Sequence, residues 1–239
     1  MLNVVGTLSS MLSSAKNWGY LCEGVSVSRL VLPKRGPRQQ GSAFTPGQAK
    51  AILELARDPW RVMFAIAAYA GLRAGEILGL SVEDVDLASG VLNIRKTAWY
   101  GQIQTTKSVE SENTIPIAEN LAGMLRKFIG ERRDGLLFVN KAGRPYTSSG
   151  KVVQKRLRPL CDALKIPRAG FHAFRHLHTT ALLETGATPK VTQRQLRHAD
   201  PRVTLTHYGH LIDRSHREAV EKAAAFLDRS GPKINGSVN

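Results

Sequence analysis

Seven histidines occur in this chain, and all of them fall between positions 172 and 216. The same stretch carries His172-Ala-Phe-Arg175, then Leu196-Arg197-His198, then Tyr208. A histidine, an arginine, a second histidine and a tyrosine in that order suit a site that holds a phosphate diester and attacks it. Cleaving such a diester without a metal sets three tasks. The negative charge on the phosphate must be offset, the attacking oxygen must lose a proton, and the leaving oxygen must gain one. Guanidinium groups suit the first task, because their planar forks bind two phosphate oxygens and stay charged at every working pH.

Arg175 follows His172 by three residues, so a helix places both side chains on one face. Alone, that pair equally describes a surface arginine beside a buried, hydrogen-bonded histidine. Upstream, Gly71-Leu72-Arg73-Ala74-Gly75-Glu76 puts Arg73 just after a helix break, with Glu76 one turn further on. Glycines flanking an arginine point to close backbone approach, and Glu76 is placed to orient neighbouring groups. Alone, that pair is an ordinary surface ion pair. A tyrosine hydroxyl has a pKa of about 10, so Tyr208 as nucleophile needs a cationic surround or a base. Arg73, Arg175, His172 and His198 supply one.

Metal chemistry fits less well. His172 and His176 have the spacing of a zinc-binding HExxH helix, but Ala173 stands where the glutamate belongs, and the nearest acid is Glu184. The neighbouring arginines repel a cation, so no metal and no other cofactor is expected. His176, His178, His207, His210 and His216 read as structural or DNA-facing.

The bulk composition sets the wider frame. With 34 Lys and Arg against 19 Asp and Glu, the formal net charge is +15, which favours a polyanionic partner through phosphate neutralisation and counterion release. On charge alone, a basic soluble or ribosome-associated protein fits as well. Apolar residues make up 42%, normal for a globular domain with a real core. Cys22 and Cys161 are too few for a disulfide framework or a four-ligand zinc site, and read as buried thiols in a reducing compartment. The most apolar run, Val62 to Ala70, is far too short to span a membrane, and no signal peptide is evident. A cytoplasmic, bacterial or phage-encoded and nucleoid-associated location is the expectation.

These residues need elements to hold them. Pro33-Lys-Arg-Gly-Pro-Arg-Gln-Gln-Gly-Ser42 reads as an exposed basic linker, with Lys34, Arg35 and Arg38 available to DNA. Before it, Leu2 to Tyr20 has helical spacing. After it, Thr45-Pro46-Gly47-Gln48 supplies an N-cap, a proline at the first turn and a capping-box glutamine for a helix to about Arg57. Asp58-Pro59 opens a second helix ended by Gly71, and a short third helix covers Arg73 to Leu80. Residues 91–95, 102–105 and 113–117 read as strands of one small antiparallel sheet, and 136–139 as a short extra strand. Helices are expected at 118–133, 149–164, 171–185, 190–197, 201–207 and 216–228. The fold class is α+β and mostly α-helical.

Together, Arg73, Lys107, His172, Arg175, His198 and Tyr208 resemble, in order and spacing, the catalytic set of the tyrosine recombinases, the phage-integrase family. The segments carrying the resemblance are GLRAGEILGL (71–80), TTKS with NTIPI (105–117), FHAFRHLHTT (171–180) and LRHADPRVTLTHYGH (196–210). It extends from about residue 42 into the C-terminal helix. Residues 1–32 resemble a remnant, the last helix, of the family's core-binding domain, which clamps DNA together with the catalytic domain. On this reading 33–42 is the linker and 43–239 the tyrosine-recombinase catalytic domain, with that fold and its small antiparallel sheet.

The resemblance implies a role for each position. Tyr208 would attack the scissile phosphate, forming a 3′-phosphotyrosyl link and releasing a 5′-hydroxyl. Arg73, Arg175 and His198 would hold the non-bridging oxygens, and Lys107, on the turn between two strands, would protonate the leaving oxygen. His172 would act as base or proton relay, with Glu76 supporting the arginines. Two departures are local: Arg197 stands where the family often has glycine, adding a phosphate contact, and Glu110 and Glu112 stand in a hairpin that often carries arginines. The partner implied is double-stranded DNA, bound by a homotetramer that exchanges a C-terminal segment such as Leu211–Asn239. A type IB topoisomerase and a DNA-binding remnant that does not cut remain as alternatives.

Overall fold

The structure, a computed structural model, describes residues 2–21, 43–105 and 114–197. Lys34, Arg35, Arg38, Lys107, His198 and Tyr208 lie outside the described residues, as do the helices expected at 201–207 and 216–228. The chain divides into two compact units, Met1–Gln40 and Gly41–Asn239. In the first, α1 runs over Leu2–Asn17. No helix among the described residues is long and apolar enough to cross a membrane.

The second unit is organised around a helix that is apolar on every side. In α3 (Trp60–Tyr69) six consecutive residues, Val62 to Ala67, are buried, as a central helix requires. Against it pack α2 (Pro46–Leu55), α5 (Glu119–Ile129) and α8 (Phe171–Glu184). Four phenylalanines form the seam with α8. Phe64 lies 5.7 Å from Phe174 and 5.6 Å from Phe171, and Phe44 sits 4.7 Å from Phe174. The cap of α2 is the one the sequence spelled. Thr45 Oγ1 accepts from the Gln48 N–H at 3.2 Å, and the Gln48 side chain accepts from the Thr45 N–H at 3.0 Å.

The strands depart from the sequence reading. Among the described residues there are two small sheets rather than one. β1 (Val85–Asp86), β2 (Val91–Asn93) and β5 (Thr114–Pro116) form an antiparallel three-stranded sheet, while β3 (Lys96–Trp99) and β4 (Gln102–Thr105) form a separate hairpin. The break falls at Ile94 and Arg95. Arg95 turns out of register to reach the fully buried carboxylate of Asp84, with Nε at 2.7 Å from Oδ1. The strand expected over 136–139 shrinks to one bridge, Ser81 to Leu136.

The hairpin is held by α4 (Ala74–Gly79), which packs more extensively on β3 than on any other element. Two glycines permit that approach. A Cβ on Gly75 would stand 2.6 Å from Thr97 Oγ1, and one on Gly79 would stand 2.9 Å from both the Lys96 carbonyl oxygen and Thr97 Cα. The helix expected over 149–164 is present but not uniform. It passes from α6 (Ser149–Val152) through a π turn (Val153–Leu157) into α7 (Arg158–Ala163). Pro159 explains the wider turn, because its ring crowds the carbonyl four residues back and it lacks an N–H to donate there. A final helix, α9 (Pro189–Leu196), is capped by Thr188, whose hydroxyl accepts from the Val191 N–H at 3.3 Å.

Candidate active site: three arginines around one carboxylate

Three segments distant in sequence converge where α3 gives way to α4. Ala70 closes α3, and Gly71 follows with φ of +69°, a conformation that glycine adopts without penalty. The space there is also closed, since a Cβ on Gly71 would lie 2.7 Å from His178 and 2.9 Å from Leu196. The turn aims the Gly71 carbonyl inward and starts α4 at Arg73.

Glu76 is the hub. It is 8% exposed, and its carboxylate accepts from the Arg73 backbone N–H at 2.7 Å and from Arg73 Nη1 at 2.9 Å. The first contact satisfies an orphan donor of the α4 N-terminus, and the second fixes the arginine side chain. Burial alone would push the Glu76 carboxyl up, but the charge of Arg197, the Arg73 N–H and the Arg73 guanidinium outweigh it. Glu76 is therefore held below the usual carboxylate range and ionised.

Arg175, on α8, is buried as well. Its Nη1 donates to the Gly71 carbonyl at 2.6 Å and its Nη2 to the Leu196 carbonyl at 2.5 Å. Burial, then the nearby charge of Arg73, pulls its pKa to about 9, so it stays cationic at neutral pH. His172, one turn before, is exposed. Its pKa falls below the usual imidazole value through partial desolvation, then through the charges of Arg175 and Arg73. The outcome is a neutral ring at pH 7, able to accept a proton.

Arg197 differs from expectation. It does not present its guanidinium outward to a phosphate. The side chain is 7% exposed, and Nη2 donates to Glu76 Oε2 at 2.5 Å. A buried carboxylate is costly unless its charge is paired, and Arg197 adds a second cation to the one Arg73 supplies. The structure thus joins Arg73 and Arg197 to Glu76 by direct bonds and holds Arg175 beside them through the Gly71 and Leu196 carbonyls, with His172 close enough to feel two of the charges.

Two contributors were absent from the sequence reading. Gly79 sits four residues after Gly75 on the same helix face, a spacing visible in Gly75-Glu-Ile-Leu-Gly79 but not used. His178, read only as structural or DNA-facing, packs on the Gly71 turn, with Nδ1 donating to the Ala68 carbonyl at 3.1 Å. Burial holds its pKa near about 4, so it is neutral.

A helical domain carries a short hairpin beside a cluster of arginines at the start of α4, on α8 and at the end of α9. The chain belongs to the phage integrase family, whose model matches residues 43–214. It is similar to the integrase of Staphylococcus phage L54a, 29% identical over 176 residues that cover 66% of this chain and 49% of that protein. It is also similar to a XerC-like tyrosine recombinase of Caldanaerobacter subterraneus subsp. tengcongensis, 27% identical over 247 residues, 90% of this chain and 63% of the relative. The chain thus spans half to two thirds of the length of these curated relatives. Among solved structures, the Tn1549 transposon integrase in complex with transposon right end DNA aligns with a TM-score of 0.73 at 20% identity, over 93% of this chain and 78% of that one. At that identity the likeness establishes the fold.

Proposed function

We propose that this chain cuts and rejoins double-stranded DNA at specific sites through a 3′-phosphotyrosyl intermediate, as the catalytic part of an integrase from a phage or mobile element. The observation that carries this reading is the charge count at the site. Arg73 and Arg197 pair with one carboxylate, Glu76, and Arg175 lies near enough to share its charge, leaving a surplus of positive charge that an anion would offset. A surface ion pair would balance its charges. This cluster does not.

Each residue then has a task. Arg73 and Arg175, with His198, hold the non-bridging oxygens and offset the charge that grows as phosphorus becomes five-coordinate. The Tyr208 oxygen forms a bond to phosphorus while the bond to the 5′ oxygen breaks. The tyrosine proton passes to the neutral His172, and Lys107 delivers a proton to the leaving 5′ oxygen. The covalent link conserves the diester, so a new 5′-hydroxyl can reverse the step on another strand without ATP. Lys34, Arg35 and Arg38 add phosphate contacts ahead of the domain. Assembly as a homotetramer on DNA, through Leu211–Asn239, belongs to the same reading.

The test is covalent capture. The chain is incubated with a pool of nicked duplexes of randomised sequence, built so that a cleaved strand diffuses away, and the protein-linked DNA is sequenced. Enrichment of one sequence supports a recombinase. Capture at any sequence points to a type IB topoisomerase, and no capture to a binding protein that does not cut.

A further inference from the structure

Arg197 occupies a backbone conformation that favours glycine, with φ of +51° and ψ of +50°, yet it is a large cation folded inward. Its main chain and side chain are both tied to the arginine cluster. The Leu196 carbonyl before it accepts from Arg175, and its own carbonyl accepts from Arg73 Nη2 at 3.3 Å. Its Nη1 donates to the Gln195 carbonyl at 3.2 Å, and its Nη2 takes the second oxygen of Glu76. Its Nε is buried without a hydrogen-bond partner among the described residues.

The division of Glu76 is what matters. A carboxylate and a guanidinium left to themselves pair fork to fork, two bonds in parallel. Here Arg73 donates only one side-chain bond to Glu76, from Nη1 to Oε1, because Oε2 accepts from both the Arg73 backbone N–H and Arg197. Arg73 therefore keeps much of its fork and remains 42% exposed. We infer that Arg197 is a positioning residue for the anion site: by occupying Oε2 of Glu76 it keeps that carboxylate from closing on Arg73, and it anchors the peptide that leads to His198. The site's affinity for a phosphoryl group then depends on a residue with no phosphate contact of its own. This deepens the recombinase reading and rests on it for its place in DNA cleavage.

The experiment reads the clamp without cleavage. Inorganic phosphate is titrated into the protein while the arginine Nε–Hε resonances are followed by NMR. In the wild type the Arg73 and Arg175 signals shift and saturate together. Arg197→Gly, which removes the side chain and suits the backbone, weakens phosphate binding about tenfold, the scale of one charge-assisted contact. In that variant the Glu76 carboxyl titrates at higher pH than in the wild type, where it is faced by Arg73, Arg175 and Arg197. Arg197→Lys, which keeps the stem and the charge, restores at least half of the lost affinity on a logarithmic scale. Equal phosphate affinity in wild type and Arg197→Gly, or an unmoved Glu76 titration, overturns the inference, as does a wild type that shows no phosphate response. If Arg197→Gly melts early, Arg197→Lys and Arg197→Gln, which differ in charge but both keep the buried stem, decide the same question. A wild type that binds phosphate in this manner but never captures DNA leaves the clamp standing and removes the recombinase reading instead.

Discussion

Arg175 donates from Nη1 to the carbonyl of Gly71, a residue 104 positions earlier, over 2.6 Å. The contact joins α8 to the turn before α4, and a second bond at 2.5 Å joins the same guanidinium to Leu196 at the end of α9. One side chain therefore fixes the relative position of all three segments that supply the cluster.

Replacing Arg175 by alanine removes a cation and leaves two carbonyls without their donor. Buried polar groups left unpaired cost about 1–3 kcal/mol each, so a urea titration is expected to show a clear loss of stability. Strand cleavage under conditions where the variant is folded falls by at least about 10²-fold, the usual scale for a preorganised donor. A folded Arg175→Ala protein with full cleavage activity would reduce Arg175 to a structural tie.

Tyr208→Phe loses one hydroxyl from the proposed nucleophile and nothing else. Covalent capture is expected to vanish while DNA binding stays within about threefold, since the phosphate contacts are unaltered. An adduct that persists in this variant assigns the nucleophile elsewhere. The cations of the described cluster are guanidiniums, so EDTA is expected to leave capture by the wild type unchanged, and a strict divalent-metal requirement would sink the mechanism.

His178 makes stability depend on pH. Its pKa is about 4 in the fold, mainly through burial, against about 6.5 in an unfolded chain. Between these values the unfolded chain binds a proton that the folded chain does not, so acidification favours unfolding. Stability present above pH 6.5 is lost as the pH falls toward 4, by on the order of 3 kcal/mol. His178→Gln, which keeps a donor for Ala68, is expected to flatten that part of the profile relative to the wild type in chemical unfolding series. Parallel profiles for the two proteins would show that His178 is not the titrating group.

Gly79→Ala tests the support of the hairpin. The added Cβ would meet the backbone of Lys96 and Thr97 at 2.9 Å, and backbone cannot step aside as a flexible side-chain end can. A loss of about 1–3 kcal/mol in stability is expected, in the range for overpacking. Cleavage is expected to fall further than folding, because the hairpin leads toward Lys107. Gly123→Ala serves as the control, since nothing lies within 4 Å of its added methyl group.

Much of this was legible before the fold was known, because the signals were local. Thr45, Pro46 and Gln48 announce a helix start through contacts three residues long, and Gly71 announces a helix end through its backbone freedom. The pairing of Arg73 with Glu76 lies within one turn and was also visible. What escaped was set by contacts across the chain. The split between β2 and β3 follows from Arg95 reaching a buried Asp84, which no alternation of residue types encodes. Arg197 carried the same difficulty. Its sequence position beside His198 suggested an outward cation, whereas its side chain answers a carboxylate 121 residues upstream.

The same long-range ties set when the site comes into being. Gly71, Arg175 and Leu196 belong to three stretches that meet only after α3, α4, α8 and α9 have docked, so the arginine cluster has no counterpart in a partly folded chain. Arginines held apart on an unfinished polypeptide cannot converge on one phosphate. If the chain cuts DNA as proposed, folding itself acts as the safety catch, because the cluster is assembled only by the finished domain.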